Sequence, residues 1–343
     1  MDASAQTISG ALLGWYDANA RGMPWRSPPG TAPPDPYRVW LSEVMLQQTT
    51  VAAVGPYFAK FLARWPSVEA LAAADDADVM AAWAGLGYYS RARNLIACAR
   101  TVAAQGGEFP ASEAELRKLP GLGAYTAAAV AAIAFGQRAA VVDANVERVI
   151  ARLFAIAAPL PGAREAIRSR VEALVPADRP GDFAQTLMDL GATICTPRIP
   201  RCLLCPLSEY CRGREEGAER FPVKPARKAK PQRAGKAFWI ARSGAVWLVR
   251  RPERGMLGAM RALPDDRWSA KGDGADDPPL AGPWQSAGSV RHSFTHFDLE
   301  LQLMLYSGSD WDSLNGGEWW ALEQLEAAGL PTLFAKAARL ALV

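Results

Sequence analysis

The chain has 343 residues, half of them apolar and 21% charged, which is more than one core holds, so two domains are expected. No apolar run reaches the ~20 residues of a membrane span. The polar start Met1–Gly10 lacks the basic segment and apolar stretch of an export signal, so a cytoplasmic protein is expected. Only two histidines occur, His292 and His296, which excludes Ser-His-Asp, Cys-His and histidine–zinc chemistry from the first 290 residues. Carboxylates, amides and hydroxyls must carry any reaction there.

Residues 1–220 predict an almost wholly helical domain. A helix over Trp40–Gln47 puts Glu43 on one face with Trp40, Val44 and Gln47. Buried on that face, a carboxyl resists ionisation and its pKa rises toward that of a general acid; an exposed glutamate is the alternative. Leu119-Pro-Gly-Leu-Gly-Ala-Tyr125-Thr126 reads as a turn in which Pro120 stops one helix and the next helix follows. Gly121 and Gly123 leave N–H groups open beside that second helix start, an arrangement suited to a phosphate oxygen, although a plain helix–helix turn explains it too. Next comes Asp143, placed to N-cap a helix that begins at Ala144 and carries Val146, Val149, Ile150, Leu153 and Phe154 at helical spacing. A carboxylate so held is also fixed in direction.

Cys195, Cys202, Cys205 and Cys211 follow as C-x6-C-x2-C-x5-C. Two disulfides fit poorly without an export signal, and structural zinc usually shows two C-x2-C pairs. Four closely spaced thiolates suit a [4Fe–4S] cluster, whose loop would present Arg198, Arg201 and Arg212 at fixed positions. Cys98, inside a helical stretch, reads as a small buried residue.

Through Lys236 there are 28 Lys/Arg against 22 Asp/Glu; after it, 10 against 13. The junction 221–236 holds Lys224, Arg227, Lys228, Lys230, Arg233 and Lys236 with no acid, and serves either as a solvated linker or to meet a polyanion. Beyond it the pattern becomes α+β. Strands are expected at Ala237–Ala241 and Val246–Val249 around a turn at Ser243-Gly244. Period-two alternation follows from Phe297 to Tyr306, then a closing helix with Leu333, Ala337, Leu340 and Ala341 on one face.

The hairpin, the aspartate after it and the four-cysteine loop together resemble the endonuclease III superfamily of helix–hairpin–helix DNA glycosylases, and within it the MutY-type adenine glycosylases. Further matching runs are Pro24-Trp25, Val39–Thr49, Gly85–Asn94, Val141–Arg148 and Met188–Ala192. The resemblance covers 10–220 closely and continues more weakly to the C-terminus. It implies a mostly α glycosylase domain (1–220) with a helix–hairpin–helix motif at about 115–135 and a [4Fe–4S] loop. A Nudix-like α+β domain over 237–343 would follow, reading 8-oxoguanine.

The resemblance further implies that Glu43 protonates N7 of adenine and Asp143 stabilises the oxocarbenium-like sugar, with Asn145 and Tyr125 positioning the pair. Arg26, Gln48, Tyr88, Gly121 and Gly123 would contact DNA, with Gln48 and Tyr88 as wedges around a flipped base. Phe294, Thr295 and His296, in Arg291–Phe297, would contact 8-oxoguanine. The partner implied is double-stranded DNA with A:8-oxoguanine or A:G mispairs, acted on by a monomer. Lyase-active relatives carry a lysine where this chain has Tyr125, and the Nudix metal motif is missing, so the resemblance implies base release alone. An endonuclease III-like lyase for oxidised pyrimidines and a non-catalytic DNA-binding iron–sulfur protein are the rival readings.

Overall fold

The computed structural model describes residues 3–225, 229–252 and 255–342. Arg227 and Lys228 of the basic junction lie outside them. By contact the chain divides into two compact units, 1–73 with 97–227 and 74–96 with 228–343. Among the described residues no helix is long and apolar enough to cross a membrane.

The first unit is helical. Its centre is the Ala124–Phe135 helix, buried from Thr126 to Ala134. Seven of those nine buried positions are alanine or threonine-sized, so neighbouring helices approach closely. Pro36–Leu46 packs against it, started by Pro36 at the first turn and by Asp35, whose side chain accepts from the Arg38 N–H at 3.1 Å. Pro180–Thr193 packs on both Ala124–Phe135 and Ala144–Leu153. The last contact depends on Gly191, because a Cβ there would sit 2.6 Å from Cβ of Asn145.

In the second unit, β1 (Gln232–Trp239) runs parallel to β6 (Asp298–Tyr306), and β6 pairs antiparallel with β5 (Trp284–Ser293). A second sheet centres on β3 (Ala245–Arg250), antiparallel to β2 (Ala241–Arg242), β4 (Arg261–Ala262) and β7 (Gly317–Ala321). The expected alternation holds in β6: Leu299, Leu301 and Leu303 turn inward with Phe297, against Leu333, Phe334 and Ala337 of the closing Thr332–Ala341 helix.

In strand pairing and in the grouping of residues the structure departs from the sequence reading. The first strand starts at Gln232, inside the stretch read as linker, and it pairs with β6 rather than with Val246–Val249. The hairpin at Ser243-Gly244 joins only the two-residue β2 to β3, with both turn residues at positive φ (46° and 75°). Ala237, Phe238, Trp239 and Ile240 are all buried, so period two does not mark where the chain leaves one sheet for the other. The second departure is that 74–96 groups with the C-terminal residues. Arg93 Nη1 donates to the Gly258 carbonyl at 2.8 Å, and Ala81 Cα would lie 3.5 Å from a Cβ on Gly329.

Candidate active site

A cavity of about 810 Å³ in the first unit is lined by Arg26, Glu43, Gln48, Gly121, Gly123, Tyr125, Asp143 and Asn145 together. Glu43 lies on the inner side of Pro36–Leu46, 5% exposed. Burial pushes its carboxyl up from 4.5 to about 7. The Tyr125 hydrogen bond and Arg26 hold it down, and Asp143 adds to the rise. The bond is short: Tyr125 Oη donates to Glu43 Oε2 at 2.6 Å. Burial, then the fields of Glu43 and Asp143, keep the phenol protonated far above its ordinary range. Tyr125 comes from the first turn of Ala124–Phe135, so the contact joins residues 82 apart in sequence.

Asp143 caps Ala144–Leu153 by accepting from the Val146 N–H at 2.7 Å. Its other oxygen accepts from Asn145 Nδ2 at 2.8 Å. Each oxygen thus accepts one hydrogen bond that orients the carboxylate. Asn145 is held in turn, its Oδ1 accepting from Arg148 Nη2 at 2.9 Å, while Arg148 also donates to Gly191 and Cys195 carbonyls at 2.6 and 2.7 Å.

At the rim, the helix ends one residue before the sequence reading had it, with Gln47 as cap. Gln48 is exposed with φ 59°, a left-handed backbone that costs a residue with a Cβ. The hairpin is anchored by buried Leu119 and Leu122, while Gly121 (φ 76°) and Gly123 are exposed. Among the described residues no side chain caps the helix that starts after Gly123, and Gly123 and Ala124 line the cavity.

Cys195, Cys202, Cys205 and Cys211 all line one cavity of about 30 Å³, and none forms a disulfide. Burial pushes Cys205 up to about 11 and raises Cys211, against backbone N–H groups directed at both sulfurs. Arg152, 1% exposed, reaches Cys195 Sγ at 3.3 Å and donates to the carbonyls of Thr196, Pro197, Ala218 and Phe221 at 2.7–3.1 Å. Gly213 lets the loop's end touch this helix, since a Cβ would sit 2.4 Å from the Arg152 carbonyl oxygen. Among the described residues no group of three His, Cys, Asp or Glu side chains is placed to hold a metal ion.

Two family models match: HhH-GPD superfamily base excision DNA repair protein over residues 41–174 and NUDIX domain over 236–340. The chain is 33% identical to the Homo sapiens adenine DNA glycosylase, over 98% of this chain and 74% of that protein. This chain belongs to the adenine DNA glycosylase family. The Mycolicibacterium smegmatis member is 44% identical over 62% of this chain and 70% of its own length. Among solved structures, a thermostable thymine-DNA glycosylase superposes on 63% of the chain and all of its own, with a TM-score of 0.56 and 33% identity.

In this family member the remaining predicted residues fall in the second unit, where Tyr88, Phe294, Thr295 and His296 line a cavity of about 580 Å³. Tyr88 is 47% exposed with φ 48°, not a core tyrosine. Thr295 and His296 are exposed, whereas the Phe294 ring stacks on Phe297 at 4.8 Å and abuts Trp268 at 5.7 Å. Burial, then Lys336, holds His292 below its ordinary value.

Sequence reasoning missed the residues that hold the others. Asp189, fully buried, accepts from Arg26 Nη1 at 2.8 Å and from Arg21 N–H groups, fixing the guanidinium whose field acts on Glu43. It sits in the matched run Met188–Ala192, which was the available signal. Gln47 Nε2 donates to Thr126 Oγ1 at 3.0 Å across the cavity wall.

Proposed function

We propose that this chain is a monofunctional glycosylase of base excision repair that extrudes adenine paired with 8-oxoguanine, or with guanine, into the Glu43 cavity and hydrolyses its glycosidic bond. The observation that carries the reading is the Glu43–Tyr125 pair. A carboxyl pushed up to about 7 is protonated in an appreciable fraction at neutral pH and can give its proton away. The cavity volume lies within the ~300–1,000 Å³ of small-molecule sites, enough for a flipped base.

In the proposed reaction Glu43 protonates adenine N7 while the C1′–N9 electron pair leaves with the base. The Tyr125 hydrogen bond steadies the carboxylate that forms. Positive charge develops at C1′, and Asp143 balances it, held in direction by Val146 N–H and Asn145. Water then adds to C1′ and gives its proton to the Glu43 carboxylate, which restores the acid and leaves an abasic site. Where lyase chemistry needs a lysine amine, Tyr125 offers a phenol already committed to Glu43, so no Schiff base forms there. Gln48 and Tyr88 serve as the wedges, Gly121 and Gly123 as the phosphate anchor, and Thr295 and His296 as the contacts to the opposite lesion. Four thiols lining one cavity, with N–H groups directed at the sulfurs of Cys195, Cys205 and Cys211, fit a [4Fe–4S] cluster held by Cys195, Cys202, Cys205 and Cys211. Bound there, it would cross-link the loop that Arg152 and Arg148 tie to the Asp143 helix.

The test is single-turnover incubation with duplexes carrying A:8-oxoguanine, A:G, A:T, T:G and thymine glycol. Adenine release from the first two, with strand breaks only after alkali, is expected. Direct cleavage at thymine glycol would establish the lyase reading instead, and tight binding with no base release would leave a binding protein.

A further inference from the structure

The turn between β5 and β6, which carries Phe294, Thr295 and His296, is gripped from outside by the residues that precede β1. Lys230 Nζ donates to the Phe294 carbonyl at 2.6 Å and to Ser293 Oγ at 3.0 Å, and stands 3.9 Å from Asp298 Oδ1. Ser293 Oγ donates to the same Asp298 oxygen at 2.5 Å, so the ammonium, hydroxyl and carboxylate join the last residue of β5 to the first of β6. Two further bonds hold Asp298: its N–H donates to the Pro231 carbonyl at 3.0 Å, and its Oδ2 accepts from Gln232 at 3.2 Å. Within the turn, the Phe294 N–H donates to the Phe297 carbonyl at 2.9 Å. Both backbone polar groups of Phe294 are therefore used, one inside the turn and one by Lys230. With the Phe294 ring stacked on Phe297, the residues left projecting are Thr295 and His296.

We infer that Lys230 is a positioning residue for lesion discrimination. Its ammonium presets the turn that presents Thr295 and His296, so the opposite base is read without first ordering the loop. This rests on the proposed reading of that turn as the lesion contact. The bland alternative is that Lys230 is a phosphate contact of the basic junction. The two differ in a measurable way, because a phosphate contact affects every duplex alike, whereas a preset reading loop affects only the lesion it reads.

The experiment compares the intact protein with K230M, S293A and the double variant T295A/H296A. It measures binding and single-turnover adenine release on A:8-oxoguanine and A:G duplexes, with thermal unfolding alongside. K230M is expected to lower the preference for A:8-oxoguanine over A:G about tenfold, the scale of one charge-assisted hydrogen bond lost to a loop. Its release from A:G at saturating enzyme should stay within about twofold. S293A, which removes only the hydroxyl between Lys230 and Asp298, should act in the same direction by about threefold and covers the case where K230M folds poorly. Equal weakening on both duplexes would overturn the proposal in favour of a phosphate contact. Loss of preference in T295A/H296A with none in K230M or S293A would overturn it while leaving the reading of the turn intact. No loss of preference in T295A/H296A would overturn that reading, and the role of Lys230 with it.

Discussion

Replacing Glu43 by glutamine should abolish base release and, at alkaline pH, make the protein more stable. In the folded state the carboxyl is pushed from its ordinary 4.5 to about 7, with burial the largest cause. A raised folded pKa means that the folded state favours the protonated form. The penalty for keeping Glu43 buried is therefore absent below the unfolded value and complete once pH exceeds the folded one. At about 1.4 kcal/mol per tenfold, the gap between the two values amounts to ~3 kcal/mol at pH 8.5 and under ~1 kcal/mol at pH 5. Glutamine has the same shape, its carbonyl can still accept from Tyr125 Oη, and it never ionises, so it escapes that penalty. Urea unfolding of both proteins between pH 5 and 8.5, at matched iron content, reads the difference directly. A stabilisation by Glu43→Gln that grows by roughly 2 kcal/mol over that interval supports the reasoning. A difference that stays flat with pH would refute it, because Glu43 would then ionise normally in the folded protein and would not be poised as an acid.

Four further outcomes are expected. Tyr125→Phe removes the hydrogen bond that most lowers the Glu43 value, so the alkaline fall of single-turnover rate should move about one pH unit higher. Asp143→Asn keeps a good N-cap, so thermal stability should hold within about 0.5 kcal/mol while adenine release drops at least ~100-fold. Arg152→Ala strips donors from four carbonyls and from Cys195, and should cost about 3–5 kcal/mol and weaken retention of the proposed cluster, read by unfolding and metal analysis. If the proposed cluster is bound, chelating its iron should loosen 195–212 first, seen as faster amide exchange there than in Ala124–Phe135.

Much of the chemistry was visible as local pattern. The cysteine spacing, the N-cap at Asp143, the hairpin glycines and the β6 alternation each depend on interactions within a few residues, which is why sequence alone exposes them. Where local pattern was silent, the reading slipped. Ile240 and its neighbours are buried on both faces, so nothing in their order shows the chain passing from one sheet to the other. Residues 74–96 look like any other helical stretch until Arg93 meets Gly258.

By itself, then, the sequence determined the helical and α+β halves, the candidate carboxylates, the four thiols and the absence of a lysine at position 125. Local propensity and covalent spacing suffice for the halves and the thiols, while the roles of the carboxylates and the meaning of position 125 came from the family resemblance. Only the tertiary structure decided that Glu43 is buried, that Tyr125 donates to it across 82 residues of chain, and that Asp189 holds Arg26 beside it. The same holds for the Lys230 grip on the turn at Phe294. Those facts set the proton affinity and aim of the site, and they arise from desolvation and long-range hydrogen bonds that no run of neighbouring residues encodes.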